Sequence, residues 1–183
     1  MRSNERAEDN MKRVIIVVLM AVVCMFTVAK VEAEEKFFID PVTYTITVDY
    51  NISIVDLARD FEIDHTVAET DIKDSNFVLF KMDKKELKFK AVLIHLKHEA
   101  RISELRDYMK NKKLYPADIK QLLVFGKQNP DEWRKYDIVA LGSVWTDPVA
   151  CLYSGIKRSR LFLGYAFIGL LWDEHYSFLA IQK

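Results

Sequence analysis

ELKFKAVLIHL, residues 86–96, is the stretch that decides what kind of fold this chain can form. From Glu86 to Ala91 charged and apolar residues alternate, which is typical of a strand with one buried face. From Ala91 to Leu96 nearly every residue is apolar, as in a strand that is covered on both sides. The segment therefore predicts a central strand, with residues 77–80 (FVLF) in the same strand region.

Similar patterns on either side predict further elements. Residues 43–50 alternate strictly and predict a half-buried strand, with Tyr44, Ile46, Val48 and Tyr50 on one face. Ser53 and Asp56 resemble a capping box that opens a short helix through Asp60. Ser53 also completes the glycosylation sequon Asn51-Ile52-Ser53, although the helix start explains it better. Residues 61–76 are mixed and polar and predict a loop.

The second half of the chain predicts two helices and more strands. Apolar residues at helical spacing begin after Ser103, and a second helix would have Pro116 in its first turn and Gly126 as its end. A turn at 129–132 precedes a strand at 138–145, where Gly142 permits a kink or a close approach. Gly164 and Gly169 divide residues 161–172 into strand-sized pieces, and 178–181 form a closing strand. Together these elements predict an α+β unit that is strand-rich at 34–100, with two subdomains that meet near residue 100 as the alternative.

Residues 12–33 have the composition of an export signal. Lys12 and Arg13 precede sixteen apolar or small residues, and Val31-Glu32-Ala33 fits a peptidase site. We expect residues 1–33 to be a signal peptide or, as the alternative, an N-terminal membrane anchor, since the apolar run is short of the ~20 residues that span a bilayer. The expected location is secreted or in the cell envelope, with membrane contact only through an uncleaved leader.

The charge balance limits the kinds of partner that this protein can bind, and the cysteine content limits the role of its thiols. The chain has 27 basic and 27 acidic residues; removing residues 1–33, with five basic and four acidic, leaves 22 and 23. This balance gives no basic field for nucleic acid, so we expect no nucleic-acid partner. Cys24 lies in the leader, so Cys151 is the single thiol of the remainder and is best explained as a small buried residue.

Candidate catalytic groups are few. His95 and His98, three residues apart in extended chain, point to opposite faces and make a poor metal pair, and His65 follows Asp64 in a polar loop. Asp173, Glu174 and His175 could hold a cation or perform acid–base chemistry, but a solvated turn is the simpler interpretation. No nucleophile, phosphate-loop or dinucleotide motif is found. The sequence therefore predicts no catalytic residue, no metal site and no cofactor.

The C-terminal region is dense in aromatic residues, from Trp145 to Phe178. Aromatic side chains fill cores and also favour binding surfaces. We assign Trp145, Trp172 and Phe178 to the core and leave Tyr153 and Tyr176, with Tyr165, open between the two roles.

Three stretches carry a resemblance to a known group: residues 115–126 (YPADIKQLLVFG), residues 138–145 (IVALGSVW), and Trp172 followed by 178–183 (FLAIQK). They are similar to a helix, a strand and a terminal strand shared by small uncharacterised proteins of candidate-phylum bacteria, and the likeness spans roughly residues 43–183. Members of that group differ mainly before the final strand, as do the variable proteins of diversity-generating retroelements. Those proteins have a C-type-lectin-like fold related to the formylglycine-generating enzymes.

The resemblance implies a C-type-lectin-like domain at 101–183 whose variable surface binds a protein or glycan. Transferred by position, the ligand-binding residues are Tyr153, Ser154, Ile156, Gly164, Ala166, Gly169, Leu170, Leu171, Asp173, Glu174, His175 and Tyr176, with Gly155 among the variable sites. The chain departs from the group at two positions near its C-terminus: where the group has arginine, this chain has Ser177 and Gln182. Formylglycine chemistry uses a cysteine pair, which Cys151 alone does not supply.

Three hypotheses follow. The first is an exported, non-enzymatic ligand-binding protein. The second is a small envelope enzyme that uses His175 with Asp173 and Glu174. The third is a structural envelope protein in which the apolar tail packs against its own N-terminal strands, so that a charge at Leu170 or Leu171 would unfold it.

Overall fold

The structure is a computed structural model that describes residues 36–63, 73–77, 86–144, 148–154, 161–167 and 171–182. Its strands are β1 (Phe37–Ile39), β2 (Tyr44–Asp49), β3 (Glu62–Ile63), β4 (Glu86–Leu96), β5 (Leu114–Pro116), β6 (Asp137–Val144), β7 (Pro148–Ser154), β8 (Leu161–Phe167) and β9 (Tyr176–Gln182). Its helices are α1 (Ile54–Ala58), α2 (Ile102–Asn111), α3 (Ile119–Gln128) and α4 (Pro130–Trp133), with a 3₁₀ turn at Asp74–Asn76. For β3, β7, β8, Asn76 and Val144 only the backbone is described.

All of these strands join one mixed sheet in the order β1-β4-β9-β6-β7-β8-β3. β2 pairs with β4 beside β1, and β5 pairs with β9 beside β6. The β6–β9 and β3–β8 pairs are parallel, and the others are antiparallel. Helices and a mixed sheet together agree with the predicted α+β class.

The sheet is built around β4 and β9. β4 pairs with β9 on one side, with Ile94 opposite Phe178, and with β1 and β2 on the other. Its second half is buried throughout, from Ala91 to Leu96, so the prediction of a central strand is confirmed. The closing strand predicted at 178–181 is also confirmed, as the middle of β9.

Alternate residues of β4 pack into two separate cores, one on each face of the sheet. Ala91 and Leu93 lie in the core covered by α1, α3 and α4, together with Leu122 and Phe125 of α3. The other core is covered by α2 and includes Val92, Ile94, Leu105, Met109, Phe178 and Trp172. Because side chains alternate across a strand, a strand between two helical layers is apolar at nearly every position, as 91–96 is with the exception of His95. The predicted core positions Trp172 and Phe178 are confirmed, whereas Trp145 lies outside the described residues.

Helix starts follow their caps. Ser53 Oγ accepts the amide of Asp56 at 3.0 Å, so the predicted start of α1 is confirmed, although the helix ends at Ala58. The predicted start of α3 at Pro116 is wrong, because Pro116 ends β5 and pairs with Ala180. Asp118 caps α3 instead: its Oδ1 accepts the amide of Gln121 at 2.8 Å, and its own amide donates to Gln121 Oε1 at 2.9 Å.

Three other boundaries differ from the predictions. Gly126 is buried inside α3, which continues to Gln128 because the helical bonds persist to Asn129 N, 2.9 Å from Phe125 O. The turn predicted at 129–132 is the start of α4, with Pro130 in its first turn. Gly164 lies inside β8, paired with Cys151, and does not divide the strand.

Residues Lys36–Lys183 belong to one compact unit. The strand-rich region predicted at 34–100 contributes β4, and the region at 101–183 contributes β9, its neighbour in the sheet. Within the described residues, none of the helices is long and apolar enough to cross a membrane. The predicted leader, residues 1–33, lies outside the described part of the chain, as do His65 and most of the strand predicted at 77–80.

Candidate functional site

The predicted ligand-binding residues fall into three sets. Ile156, Gly169 and Leu170, with Gly155, lie outside the described residues. Tyr153, Ser154, Gly164 and Ala166 lie in β7 and β8, where the backbone is described. Leu171, Asp173, Glu174, His175 and Tyr176, together with Trp172, form a segment that we call the C-terminal turn (Leu171–Tyr176).

Strand register brings part of this set to one end of the sheet. Ile138 of β6 pairs with Ser177 of β9 on one side and with Leu152 of β7 on the other. Tyr153 and Ser154, which follow Leu152, therefore lie at the same sheet end as the C-terminal turn, with β6 between them. Neighbouring strands are about 4.8 Å apart, so β7 and β9 are separated by roughly 10 Å.

Two predicted residues lie further from that end. Gly164 pairs with Cys151 and Ala166 pairs with Val149, successively deeper along the β7–β8 hairpin. The predicted set therefore extends along most of the hairpin instead of forming a single row of residues.

Backbone bonds hold the C-terminal turn at both ends. Trp172 and Ala100 exchange two bonds, 2.9 and 3.0 Å long, in an isolated antiparallel bridge. At the other end the amide of Asp137 donates to His175 O at 3.0 Å. Inside the turn, Asp173 Oδ1 accepts the amide of His175 at 3.0 Å, and Asp173 O accepts the amide of Tyr176. The turn thus has a defined backbone geometry.

A buried aromatic group supports the turn from below. The Trp172 side chain is 2% exposed, and its ring packs edge-on against Tyr176 at 4.7 Å and Phe178 at 5.4 Å. The edge-to-face arrangement is the favoured geometry for such pairs. Trp172 therefore fixes the turn to the α2 side of the core, and Tyr176, half-buried, joins that packing.

Other side chains of the turn face solvent. Leu171 is 58% exposed, and the His175 side chain is 76% exposed beside the half-exposed Asp173. His175 Nδ1 lies 3.2 Å from Asp173 Oδ1, and Glu174 is exposed. Asp173, Glu174 and His175 therefore lie in a turn whose side chains meet solvent. Among the described residues, no group of three His, Cys, Asp or Glu side chains could hold a metal ion.

A second cluster, which we call the His95 cluster, consists of Asp40, His95 and Ser177 with the flanking rings of Phe38 and Tyr136. His95 Nδ1 lies 2.8 Å from Ser177 Oγ, and Nε2 lies 3.3 Å from Asp40 Oδ2. The imidazole stacks on Phe38, with ring centroids 4.7 Å apart, and lies tilted against Tyr136 at 4.5 Å. His95 was placed in a strand from sequence, but nothing in the sequence connected it with Ser177, 82 positions away.

Carboxylate, imidazole and hydroxyl in series are the groups of a hydrolytic triad, yet this arrangement lacks access for a substrate. Ser177 has no exposed surface, and His95 is 3% exposed. A nucleophile must reach a substrate carbonyl, and a hydroxyl buried within a central strand does not. The bonds instead connect Asp40, just after β1, with β4 and β9 across the sheet.

A third polar network joins α3 to the β2–α1 connection. Tyr50 Oη donates to Asp118 Oδ2 at 2.7 Å, and burial of both groups raises the pKa of each. Lys120, 3% exposed, donates from Nζ to the carbonyls of Tyr50 and Ile52 at 3.0 and 2.7 Å and lies 2.7 Å from Asp74 Oδ1. These bonds satisfy a buried ammonium group, so we interpret the network as structural.

The comparisons with known proteins add no relative: no protein-family model, no curated protein and no solved structure matches this chain.

Proposed function

We propose that this protein is an exported, non-enzymatic ligand-binding protein that recognises a protein or a glycan through the sheet end formed by the C-terminal turn and the end of β7. The observation that carries the proposal is the contrast inside the turn. Its backbone is bonded at both ends and its Trp172 is buried, while Leu171, Glu174 and His175 face solvent. Exposed side chains on a rigid support are what a binding surface requires, because little ordering entropy is lost on binding.

A C-type-lectin-like identity for residues 101–183, with a diversified surface, is part of the same proposal. It rests on the motif resemblance of residues 115–126, 138–145 and 178–183. In the described structure these segments are neighbours, because β6 and β5 both pair with β9. The proposed variable residues Tyr153 and His175 lie at one end of this sheet, on either side of β6.

Population sequencing tests whether the surface is diversified. The 3′ end of the gene and its flanks would be sequenced across a population of the source organism. The proposal expects substitutions confined to adenine positions of codons 153–176, together with a near-identical template copy nearby. A uniform sequence without a template would eliminate the diversified surface.

A matched pair of variants tests the binding surface directly. Leu171→Asp places a charge in the C-terminal turn, and Val55→Asp places one on α1, at a residue that is 53% exposed against 58% for Leu171. Both should retain the wild-type melting temperature, since exposed positions tolerate substitution. On a glycan array and a panel of envelope proteins from the source organism, Leu171→Asp should lose binding that the wild type and Val55→Asp show. Equal binding by all three would contradict the proposed surface.

The same variant separates this proposal from the structural hypothesis, in which a charge at Leu171 unfolds the protein. With Leu171 more than half exposed, we expect Leu171→Asp to unfold at the wild-type urea concentration. A large decrease in the unfolding midpoint would favour the structural hypothesis instead.

A further inference from the structure

The His95 cluster contains a buried titratable group that the proposed binding function does not use. We propose that His95 makes the attachment of β1 sensitive to acid: when the buried imidazole takes up a second proton, the Ser177 hydroxyl loses its acceptor, a charge is left in the core, and β1 detaches from the edge of the sheet.

The hydrogen-bond partners define the ring's protonation in the closed state. A carboxylate only accepts hydrogen bonds, so Nε2 carries the proton and donates to Asp40. Nδ1 then accepts from the hydroxyl of Ser177. A proton added at Nδ1 would point at the Ser177 oxygen, so the hydroxyl would have to accept from the ring instead of donating to it. Protonation therefore takes the acceptor away from a buried O–H group and places a positive charge in the core.

Charged and titratable groups approach the ring from several elements. Asp40 comes from the segment after β1, Glu132 from α4 and Tyr136 from the segment before β6, while Ser177 belongs to β9. Lys97 lies over the ring of Phe38, 5.8 Å from its centroid. Burial favours the neutral imidazole, whereas Asp40 and Glu132 favour the charged one. Burial has the larger effect and holds the pKa of His95 below its ordinary value.

The direction of the pH effect follows from this lowered pKa. The closed state binds the proton less readily than a state in which His95 meets water. The stabilisation is therefore complete above the ordinary histidine pKa of about 6.5 and decreases as the pH falls below it.

Of the strands that meet at the His95 cluster, β1 is held by the fewest pairing partners. It has three residues and, among the described strands, pairs with β4 alone. Hydrogen bonds flank it at each end, from Lys97 N to Lys36 O and from Asp40 N to Leu93 O, both 2.8 Å. β4 and β9 each pair with further strands, so an opening that starts at His95 releases β1 first.

Amide hydrogen exchange between pH 7.5 and pH 5 tests the proposal, with rates corrected for their intrinsic pH dependence. In the wild type, the opening equilibrium of the Asp40 amide should increase as the pH falls, by up to about tenfold per pH unit, the limit for one proton. His95→Gln, whose amide can still donate to Asp40, should remove this dependence. His98→Gln, a change at an exposed histidine three residues away, should retain it. A pH-independent opening in the wild type, or an equal increase in His95→Gln, would overturn the proposal.

If His95→Gln does not fold, the proposal is tested on the wild-type protein by following the imidazole NMR signals of His95 as the pH changes. An NMR titration should give His95 a pKa below the ordinary histidine value of about 6.5, because the ring is buried. A higher pKa for His95 would mean that Asp40 stabilises the protonated ring, and acid would then tighten β1 rather than release it.

Discussion

Gly142 lies where β6 passes the chain between β5 and α3, and the lack of a side chain there is a packing requirement. Its amide donates to Ala117 O at 2.8 Å, and a Cβ would lie 2.6 Å from Pro116 O and 2.7 Å from Ala117 O. Real Cβ atoms do not approach carbonyl oxygens so closely, and both oxygens belong to backbone that is bonded to β9 or β6. The sequence allowed a kink or a close approach at Gly142, and the structure shows the close approach.

Replacing Gly142 by Ala should lower the free energy of unfolding by about 1–3 kcal/mol, the usual cost of overpacking. Urea denaturation followed by circular dichroism would measure it. A Gly→Ala change without a clash stabilises by about 0.4–1 kcal/mol through the unfolded chain. The sign of the change is therefore diagnostic, and a stabilised Gly142→Ala would contradict the described contact.

Individual residues were predictable where local pattern determined them. Gly142 was recognised as a special position inside an apolar strand, and Trp172 and Phe178 were assigned correctly to the core. The bond between His95 and Ser177 was not predictable, because it depends on the pairing of β4 with β9, which no local pattern specifies. That Tyr153 and Ala166 contact a ligand remains a prediction, as it does for the members of the proposed surface that lie outside the described residues.

At the scale of one element, α3 offers two lysines with different surroundings. Lys120 is buried and bonded to two carbonyls and Asp74, whereas Lys127 is partly exposed and pairs at 2.9 Å with the exposed Asp60. Removing a buried partner leaves polar groups unsatisfied, but removing a surface partner costs little.

We therefore expect Lys120→Met to lower the free energy of unfolding by about 1–3 kcal/mol. Lys127→Met should change it by less than about 1 kcal/mol. Methionine retains most of the aliphatic stem in both variants, so chemical denaturation compares the ammonium groups alone. Equal losses in the two variants would show that the stem, and not the buried network, stabilises this region.

The boundaries of α3 illustrate what sequence patterns miss at this scale. Proline is common in first turns, which favoured a start at Pro116, yet the Asp118 and Gln121 pair is the stronger signal because it satisfies two amides reciprocally. Likewise Gly126 resembles a helix stop, but its close packing inside the core keeps it helical. Tertiary packing outweighed local propensity at Gly126, whereas a stronger local cap decided the start of the helix.

For the whole molecule, β9 is the strand on which the fold depends. It pairs with β4, β5 and β6, and Phe178 and Leu179 belong to the two opposite cores. A chain lacking residues 176–183 should therefore show no cooperative urea transition, whereas removal of Lys183 alone should leave the transition nearly unchanged. A cooperative transition in the shortened chain, measured by near-ultraviolet circular dichroism, would contradict this role for β9.

The class of the fold was predictable because each central strand shows its burial in its own sequence. The strand order was not, since β6 and β9 are parallel neighbours and β5 is a three-residue strand that pairs with β9, far along the chain. Short strands such as β1 and β3 have too few residues to show a period, and both were missed.

The position of β9 also determines when the protein can fold. A ribosome makes the chain from its N-terminus, so β9 emerges after all the other described strands of the sheet. Until then β4 has no β9 to pair with, and both cores lack their central residues. The sheet and its two cores can therefore be completed only after β9 has been made.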